Sequence, residues 1–320
     1  MSGDAGFRCY YRFSHQGKSF IAVDAPIDMS DNPAFLFMQK LLSQQDILVP
    51  EIIAVDLSLG FFCLSDLGNI LLSETLTQEN MSSVYQQAID ILPKVHLGMS
   101  VAEKEIAQYD QAFVKRELDI FTQWLIEKHL SITLSESEQA QLNTCFAVLN
   151  KNMLEQPQVL IHRDYHSRNI MVVASGELGI IDFQDAVIGP VTYDIVSLLR
   201  DCYIKWPQEK IADLLQYYIE LVSSQQPLLA QITLAQWQRW FDLTGMQRHL
   251  KASGIFARLH HRDGKSGYLN DIPLTLSYLV DISRQYDEFK FLNQLLIKKI
   301  LPAMEDKRLK ISLTNTDQSN

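Results

Sequence analysis

Three oxygen-bearing side chains, Asp164, Asn169 and Asp182, stand out for their residue types and their spacing. They belong to the segments HRDYHSRN (162–169) and IDFQD (181–185). Asp164 and Asn169 flank one polar loop and Asp182 follows the next apolar run, so we expect all three at the ends of adjacent strands. Oxygen ligands of this kind suit Mg²⁺. Phosphoryl transfer needs such ligands and a carboxylate that accepts the hydroxyl proton.

The spacing H-R-D-x-x-x-x-N followed by D-F is that of a kinase catalytic loop and its metal-binding motif. A polar strand-loop-strand with hydrogen-bonded turn aspartates is the alternative. The match at five fixed positions in a strand context favours the kinase interpretation.

The elements around these residues fall into a strand-rich first part and a helix-rich remainder. Apolar and aromatic runs predict strands over 7–13, 19–23, 52–55 and 60–64, with a helix from Asp31-Asn32-Pro33 to about Ser43. Three further strands are predicted over 159–161, 170–173 and 178–181. Apolar positions three and four residues apart predict helices over 82–97, 110–130, 136–151, 192–203, 208–223, 233–250, 272–288 and 290–300.

Composition limits the class of protein. The chain has 320 residues, 47% of them hydrophobic and 21% charged, which predicts a folded protein of about two domains. Its net charge of −10 argues against a nucleic-acid binder, and no apolar stretch is long enough to predict a membrane span. Four widely spaced cysteines, Cys9, Cys63, Cys145 and Cys202, predict reduced thiols and a cytoplasmic location.

Longer tracts narrow the interpretation. The segments DFQDAVIGPVTYDIVSLLRD (182–201), GMQRHLK (245–251) and GIFARL (254–259) resemble the aminoglycoside-phosphotransferase branch of the protein-kinase-like superfamily. Within it they are most similar to the bacterial anomeric kinases of N-acetylmuramate and N-acetylglucosamine. The resemblance runs from Gly3 to about Pro302.

The resemblance implies an α+β, two-lobed protein-kinase-like fold that binds ATP and Mg²⁺. A small antiparallel β-rich N-lobe would span 1–67 and a larger, mainly helical C-lobe 68–320, with a hinge at about 66–69. The enzyme would transfer the γ-phosphoryl group to the anomeric hydroxyl of an amino sugar, in cell-wall sugar recycling.

Roles at matching positions follow from the same resemblance. Asp164 would be the catalytic base, and Asn169 and Asp182 would hold Mg²⁺. Asp194 would brace the catalytic loop by accepting backbone N–H bonds, although an aspartate in a first helical turn also interacts favourably with the helix dipole. His162 is expected to pack beneath the loop.

The nucleotide site is expected to use Gly3, Asp4, Gly6 and Arg8 in the phosphate-covering loop, and Asp66 and Leu67 at the hinge. Asp24 stands where protein kinases carry the phosphate-binding lysine. Arg8 or Lys18 would then supply the missing positive charge.

A local excess of basic residues suggests where an acidic sugar would bind. Residues 246–265 contain five lysines and arginines against one acid, Asp263, and they predict either a wall for a carboxylate or a solvated helix face. The candidate substrate-binding residues are His166, Arg168, Asp201, Arg248, Lys251, Arg258 and Arg262.

Three other hypotheses stay open at this point. The chain could phosphorylate another small hydroxyl compound, such as an aminoglycoside or a choline-like amine. It could be a catalytically silent nucleotide-binding module, or His162, Asp164 and His166 with His260 and His261 could form a metal-hydrolase ligand set.

Overall fold

The chain divides into two compact units. The computed structural model describes residues 7–98 and 105–307. The first unit takes in the chain up to Gln108 together with Pro157–Asp201 and Trp206–Thr233, and the second holds Tyr109–Gln156, Cys202–Lys205 and the chain from Leu234 onward. The first unit therefore joins the N-terminal sheet to the segment that carries Asp164, Asn169 and Asp182. The lobe boundary at 66–69 stays a prediction.

An antiparallel sheet opens the first unit. Its strands are β1 (Cys9–His15), β2 (Lys18–Asp24), β3 (Ile52–Asp56) and β4 (Phe61–Ser65), in the order β1-β2-β4-β3. The β1–β2 hairpin turns at Gln16 and Gly17, whose φ angles of +50° and +75° suit a two-residue turn that matches the strand twist.

Helix α1 (Asn32–Gln44) follows the sheet strands β1 and β2, as predicted. The Asp31 side chain accepts a hydrogen bond from the backbone N–H of Ala34 and so caps the helix, with a proline in the first turn. The predicted apolar face is buried, and it consists of Phe35, Met38, Leu41 and Leu42.

The rest of the first unit consists of short helices, two long helices and two strand pairs. The helices are α2 (Leu72–Thr75), α3 (Met81–Leu97), α6 (Tyr193–Leu199) and α7 (Gln208–Gln225). Strand β5 (Gln158–Ile161) pairs with β8 (Val187–Pro190), and β6 (Ile170–Val172) pairs with β7 (Leu178–Ile180). Strand β8 was not predicted, because its Gly-Pro ending reads as a helix boundary.

The second unit is helical. It contains α4 (Gln111–Ile120), a π-helical segment (Phe121–His129), α5 (Glu136–Glu155), α8 (Leu234–Asp263), α9 (Ile272–Ser283) and α10 (Lys290–Leu295), followed by a second π-helical segment, Leu296–Ile300. Helix α8 runs well beyond the end predicted near residue 250. Among residues 7–98 and 105–307, no helix combines the length and apolarity that a membrane crossing needs.

Candidate active site

The catalytic segment, residues 162–185, is built from two strand ends and a hairpin. The loop that carries Asp164 leaves the end of β5, and Asn169 lies immediately before β6. The β6–β7 hairpin then returns the chain to Asp182. Arg163 and Asp182 adopt φ angles of +74° and +64°. Non-glycine residues seldom occupy this region, and such strain is concentrated at functional sites.

Asp194 fixes the start of the loop. One oxygen of its buried carboxylate accepts the backbone N–H of His162 at 2.7 Å, and the other accepts the N–H of Arg163 at 3.0 Å. Two such bonds to one carboxylate are strong, because the acceptor is charged. They hold the unusual backbone of Arg163 in place.

His162 is buried beneath the loop and is bonded through both ring nitrogens. Nε2 lies 3.0 Å from the carbonyl oxygen of Ile181, and Nδ1 lies 3.3 Å from the backbone nitrogen of Asp164. Since Nδ1 accepts and Nε2 donates, the ring is the neutral Nε2–H tautomer. Burial lowers the pKa of His162, which agrees with a neutral ring.

Asn169 joins the two aspartates of the constellation. Its Nδ2 donates to the backbone oxygen of Asp164 at 3.0 Å and lies 3.5 Å from Oδ2 of Asp182. Its backbone oxygen accepts the N–H of Ile181 at 3.1 Å, which ties the loop to the strand before Asp182. The structure thus brings Asp164, Asn169 and Asp182 together within the first unit.

Asp182 is exposed, and its carboxylate lies near the carboxylates of Asp164 and Asp185. Desolvation there raises its pKa, and the neighbouring carboxylates of Asp164 and Asp185 act in the same direction. A hydrogen bond of 2.7 Å from Gln184 Nε2 opposes them in part. The site therefore concentrates negative charge that a cation would neutralise.

An aromatic stack links this site to the first residues of the sheet. Phe183 stacks on Phe35 of α1 with ring centroids 5.1 Å apart, and the guanidinium of Arg8 lies 5.4 Å from the centroid of Phe35. Tyr10, which sequence reasoning missed, is within electrostatic range of both Asp182 and Arg8, and mainly burial raises its pKa to about 12. Arg8 and Tyr10 therefore lie on the same side of the sheet as Asp182.

The predicted hinge is held by a strand arginine. Arg12 of β1 donates a hydrogen bond from Nε to Asp66 Oδ2 at 2.6 Å and another from Nη2 to Asp66 Oδ1 at 2.9 Å. It also donates to the Gly68 carbonyl oxygen and to the side-chain oxygen of Asn69. Burial raises the pKa of Asp66, but the bonds from Arg12, Ser19 and the Gly68 N–H outweigh it and leave the pKa lowered. Sequence reasoning missed Arg12, because nothing local shows that β1 faces residues 66–69.

Of the other residues predicted to bind the nucleotide, the structure describes Leu67. Leu67 packs over β7, since a Cβ on Gly179 would lie 2.8 Å from Leu67 Cδ1. Gly3, Asp4 and Gly6 lie outside the described residues.

The predicted sugar-binding residues of the first unit lie on or against the catalytic loop. His166 and Arg168 belong to the loop itself and are half-buried. Asp201 is buried, and its Oδ2 accepts the Ser167 hydroxyl at 2.5 Å and the Ser167 N–H at 3.3 Å. These contacts argue against a direct contact between Asp201 and a sugar, and they point to support of the loop.

The predicted basic residues of the second unit all lie on α8. The Lys251 ammonium is nearly buried and lies 2.9 Å from Glu117 Oε1, whose other oxygen accepts bonds from Tyr109 and Gln247. Arg262 pairs with its neighbour Asp263 at 2.7 Å. Arg248 is buried and Arg258 is half-buried. Lys251 and Arg262 are therefore engaged with carboxylates, and the local sequence indicates this pairing for Arg262 only.

The contacts of the histidines argue against the metal-hydrolase hypothesis. His162 uses both ring nitrogens in bonds to the backbone, so it has no nitrogen left for a metal. His260 and His261 belong to a separate cluster in the second unit, where they meet His129.

Comparisons with known proteins identify the family of this chain. The model of the phosphotransferase enzyme family matches residues 1–242. An N-acetylmuramate/N-acetylglucosamine kinase of Pseudomonas putida is 37% identical over 297 residues, which cover 92% of this chain and 86% of the relative. The enzyme of the same name from Neisseria meningitidis is 37% identical over 304 residues, covering 93% and 89%.

Solved structures support the fold. The GDP complex of aminoglycoside 2'-phosphotransferase-IIIa aligns with a TM-score of 0.58 at 15% identity, covering 89% of this chain and 92% of that chain. Fold and site together define a protein-kinase-like phosphotransferase, which confirms the predicted α+β fold class. The chain belongs to the phosphotransferase enzyme family. It is an enzyme that transfers a phosphoryl group to a hydroxyl acceptor, and membership in this kinase family implies the use of ATP.

Proposed function

We propose that the enzyme phosphorylates the anomeric hydroxyl of N-acetylmuramate or N-acetylglucosamine with Mg·ATP and so yields the sugar 1-phosphate. The convergence of Asp164, Asn169 and Asp182 supports phosphoryl transfer as the reaction. The acceptor rests on the 37% identity to kinases that bear these sugar names. Such a product would serve recycling of cell-wall sugars.

Asp164 would act as the base that orients the sugar hydroxyl and accepts its proton. The loop that carries it is held by Asp194 at one end and by Asn169 at the other, so its position is fixed before substrate binds. General-base catalysis of this kind contributes about 10² to 10⁴-fold in rate.

Asn169 and Asp182 would hold Mg²⁺, and the donor set suits that ion. Because Asn169 Nδ2 is engaged with the Asp164 carbonyl, its amide oxygen is the atom left for a metal. The raised pKa of Asp182 marks a carboxylate that lacks full compensation, which a hard divalent cation would supply. Bound there, the ion would neutralise charge on the ATP phosphates.

Arg8, rather than Lys18, would replace the missing strand lysine. Arg8 lies beside the Cys9–Asp24 end of the β1–β2 ladder, on the side of Asp182, whereas Lys18 begins β2 at the opposite end. Six residues of strand separate Lys18 from Asp24, or about 20 Å at 3.3 Å per residue. Arg8→Ala should weaken Mg·ATP binding about tenfold, and an equal effect of Lys18→Ala would contradict this assignment.

The hinge would contact adenine through its backbone, because the Asp66 carboxylate is bound to Arg12 and Ser19. Leu67 would cover the base from its position over β7. Under this proposal, the predicted lobes, 1–67 and 68–320, would meet at residues 66–69.

The basic residues of α8 would favour an acidic sugar. Arg248, Lys251, Arg258 and Arg262 are the candidates on this helix, and Lys251 and Arg262 also pair with Glu117 and Asp263. His166 and Arg168 would face the sugar or the phosphates from the loop, and Asp201 would act through Ser167. We also propose a cytoplasmic location, where ATP is available and where the described cysteines, all free thiols, stay reduced.

Phosphorus NMR of the product tests the proposal. The purified enzyme is incubated with Mg·ATP and, in turn, N-acetylmuramate, N-acetylglucosamine, kanamycin and choline, with Asp164→Asn as the inactive control. We expect phosphate on the anomeric oxygen of N-acetylmuramate or N-acetylglucosamine, and no product with kanamycin or choline. Phosphorylation of only kanamycin or choline would move the enzyme to another substrate class, and no product with any acceptor would favour a silent nucleotide-binding module.

A further inference from the structure

Three histidines meet in the second unit, and none of them has a role in the proposed catalysis. His129 ends the first π-helical segment, and His260 and His261 lie near the end of α8. One potential ligand atom from each ring lies within 4.8 Å of the other two. His129 is buried, His260 is half-buried and His261 is exposed, so the cluster opens to solvent on one side.

Close helix packing brings the three rings together. Gly254 of α8 lies against the backbone of Ile120, since a Cβ at this glycine would be 2.6 Å from the Ile120 carbonyl oxygen. The absence of a side chain at Gly254 lets the two helical segments approach. About two turns further along each segment, His129 meets His260 and His261.

The nitrogen geometry fits a tetrahedral metal ion. His129 Nδ1 and His261 Nε2 are 3.1 Å apart. Two nitrogens bound to Zn²⁺ at about 2.0–2.1 Å in tetrahedral geometry would lie about 3.3 Å from each other. The proton shared by these two nitrogens would move to the other nitrogen of its ring, so that both imidazoles bind in the neutral form.

The third ring carries its own orienting contact. His260 Nδ1 lies 3.0 Å from the Ser266 hydroxyl, which leaves Nε2 as the ligand atom. Metal-bound histidines are commonly oriented by a hydrogen bond at the nitrogen that does not bind the metal.

We propose that His129, His260 and His261 form a binding site for a transition-metal dication such as Zn²⁺, with an open fourth position for water. Lys128 and Lys307 lie within electrostatic range of His261, so the surroundings do not attract cations by charge. The site therefore favours an ion that forms inner-sphere bonds with imidazole over Mg²⁺ or Ca²⁺. Binding would tie the end of the π-helical segment to the end of α8.

Cobalt spectroscopy and zinc calorimetry on the full-length, untagged protein test this proposal. Co²⁺ should give the visible absorption of a tetrahedral ion at one equivalent, and Zn²⁺ should displace it. His261→Gln, at an exposed position, should abolish the spectrum and weaken Zn²⁺ binding more than about 100-fold. Ser266→Ala should weaken it about tenfold, in the range of lost orienting contacts.

Two control variants locate the ion. His15→Gln, at an exposed histidine of β1, and Asp182→Asn should both bind Zn²⁺ as the unaltered protein does. Zn²⁺ should raise the melting temperature of the unaltered protein and leave that of His261→Gln unchanged. An octahedral Co²⁺ spectrum, normal binding by His261→Gln, or loss of binding in Asp182→Asn would overturn the proposal.

Discussion

The catalytic segment, residues 162–185, and the basic segment, residues 246–265 in the last part of α8 and just after it, differ in the partners of their charged residues. In the catalytic segment, carboxylates and amides converge across one loop and one hairpin, and burial together with the carboxylates of Asp164 and Asp185 raises the pKa of Asp182. In the basic segment, Lys251 and Arg262 already have carboxylate partners. The two segments therefore differ in the neighbours of their charged groups: Asp182 lies near other carboxylates, whereas Lys251 and Arg262 lie beside Glu117 and Asp263.

Replacement of Asp164, the proposed catalytic base, should have the largest effect on activity. Asp164→Asn should lower kcat by about 10² to 10⁴-fold, because the hydroxyl proton loses its acceptor. Calorimetry should show Mg·ATP affinity close to that of the unaltered enzyme. Unchanged turnover in the purified variant would show that Asp164 is not the catalytic base.

Asp194 tests whether the loop must be braced. Asp194→Ala leaves the N–H groups of His162 and Arg163 without their acceptor in a buried place, so the free energy of unfolding should fall by about 2–3 kcal/mol. Activity should fall with it, and Asp194→Asn should recover part of both.

Urea denaturation and steady-state kinetics measure the two effects of Asp194→Ala. Asp213→Ala, at an exposed position of α7, is the matched control and should change neither. Full stability and activity in Asp194→Ala would show that the loop holds its shape without this carboxylate.

Lys251 tests whether the basic segment stabilises the fold or binds the sugar. Lys251→Ala leaves the Glu117 carboxylate buried without its cation, so the free energy of unfolding should fall by about 3 kcal/mol. Lys115→Ala breaks the exposed pair with Asp119 and should cost less than about 1 kcal/mol. If Lys251→Ala instead keeps its stability and raises KM for N-acetylmuramate alone, the basic segment binds the acidic sugar through this lysine.

The pKa of Asp182 makes stability depend on pH. Because its pKa is raised in the folded state, ionisation of Asp182 opposes folding at pH values above the folded pKa, and this penalty is absent below the unfolded value of about 3.9. Asp182→Asn should therefore melt higher than the unaltered protein at pH 7 in metal-free buffer, by less than about 3 °C.

That difference in melting temperature should disappear as the pH falls through the unfolded value. Thermal melts across the pH range measure it, with Asp213→Asn as the exposed control. A lower melting temperature for Asp182→Asn at pH 7 would show that the carboxylate stabilises the fold.

Local patterns predicted much of the molecule. The D-x-x-x-x-N spacing and the D-F that follows lie within one loop and one hairpin, so residues close in sequence determine the geometry. The start of α1 at Asp31-Asn32-Pro33 was predicted for the same reason.

Long-range contacts account for what the sequence did not reveal. Arg12 reaches Asp66 only because β1 and β4 flank β2 in the sheet, and Lys251 meets Glu117 only because α8 packs on α4. Strand β8 forms because β5 lies beside it. The His129 cluster likewise depends on the packing of Gly254 against Ile120.

Titration calorimetry of Mg·ATP into Asp182→Ala, beside Asp164→Ala, tests most directly whether the three converging side chains hold a nucleotide-bound metal. Asp182→Ala should weaken Mg²⁺-dependent ATP binding by about 100-fold or more, because it removes one of the two side chains proposed to hold the metal. Asp164→Ala should retain this binding. Normal Mg·ATP affinity in folded Asp182→Ala would contradict the assignment of the catalytic segment as the phosphoryl-transfer site.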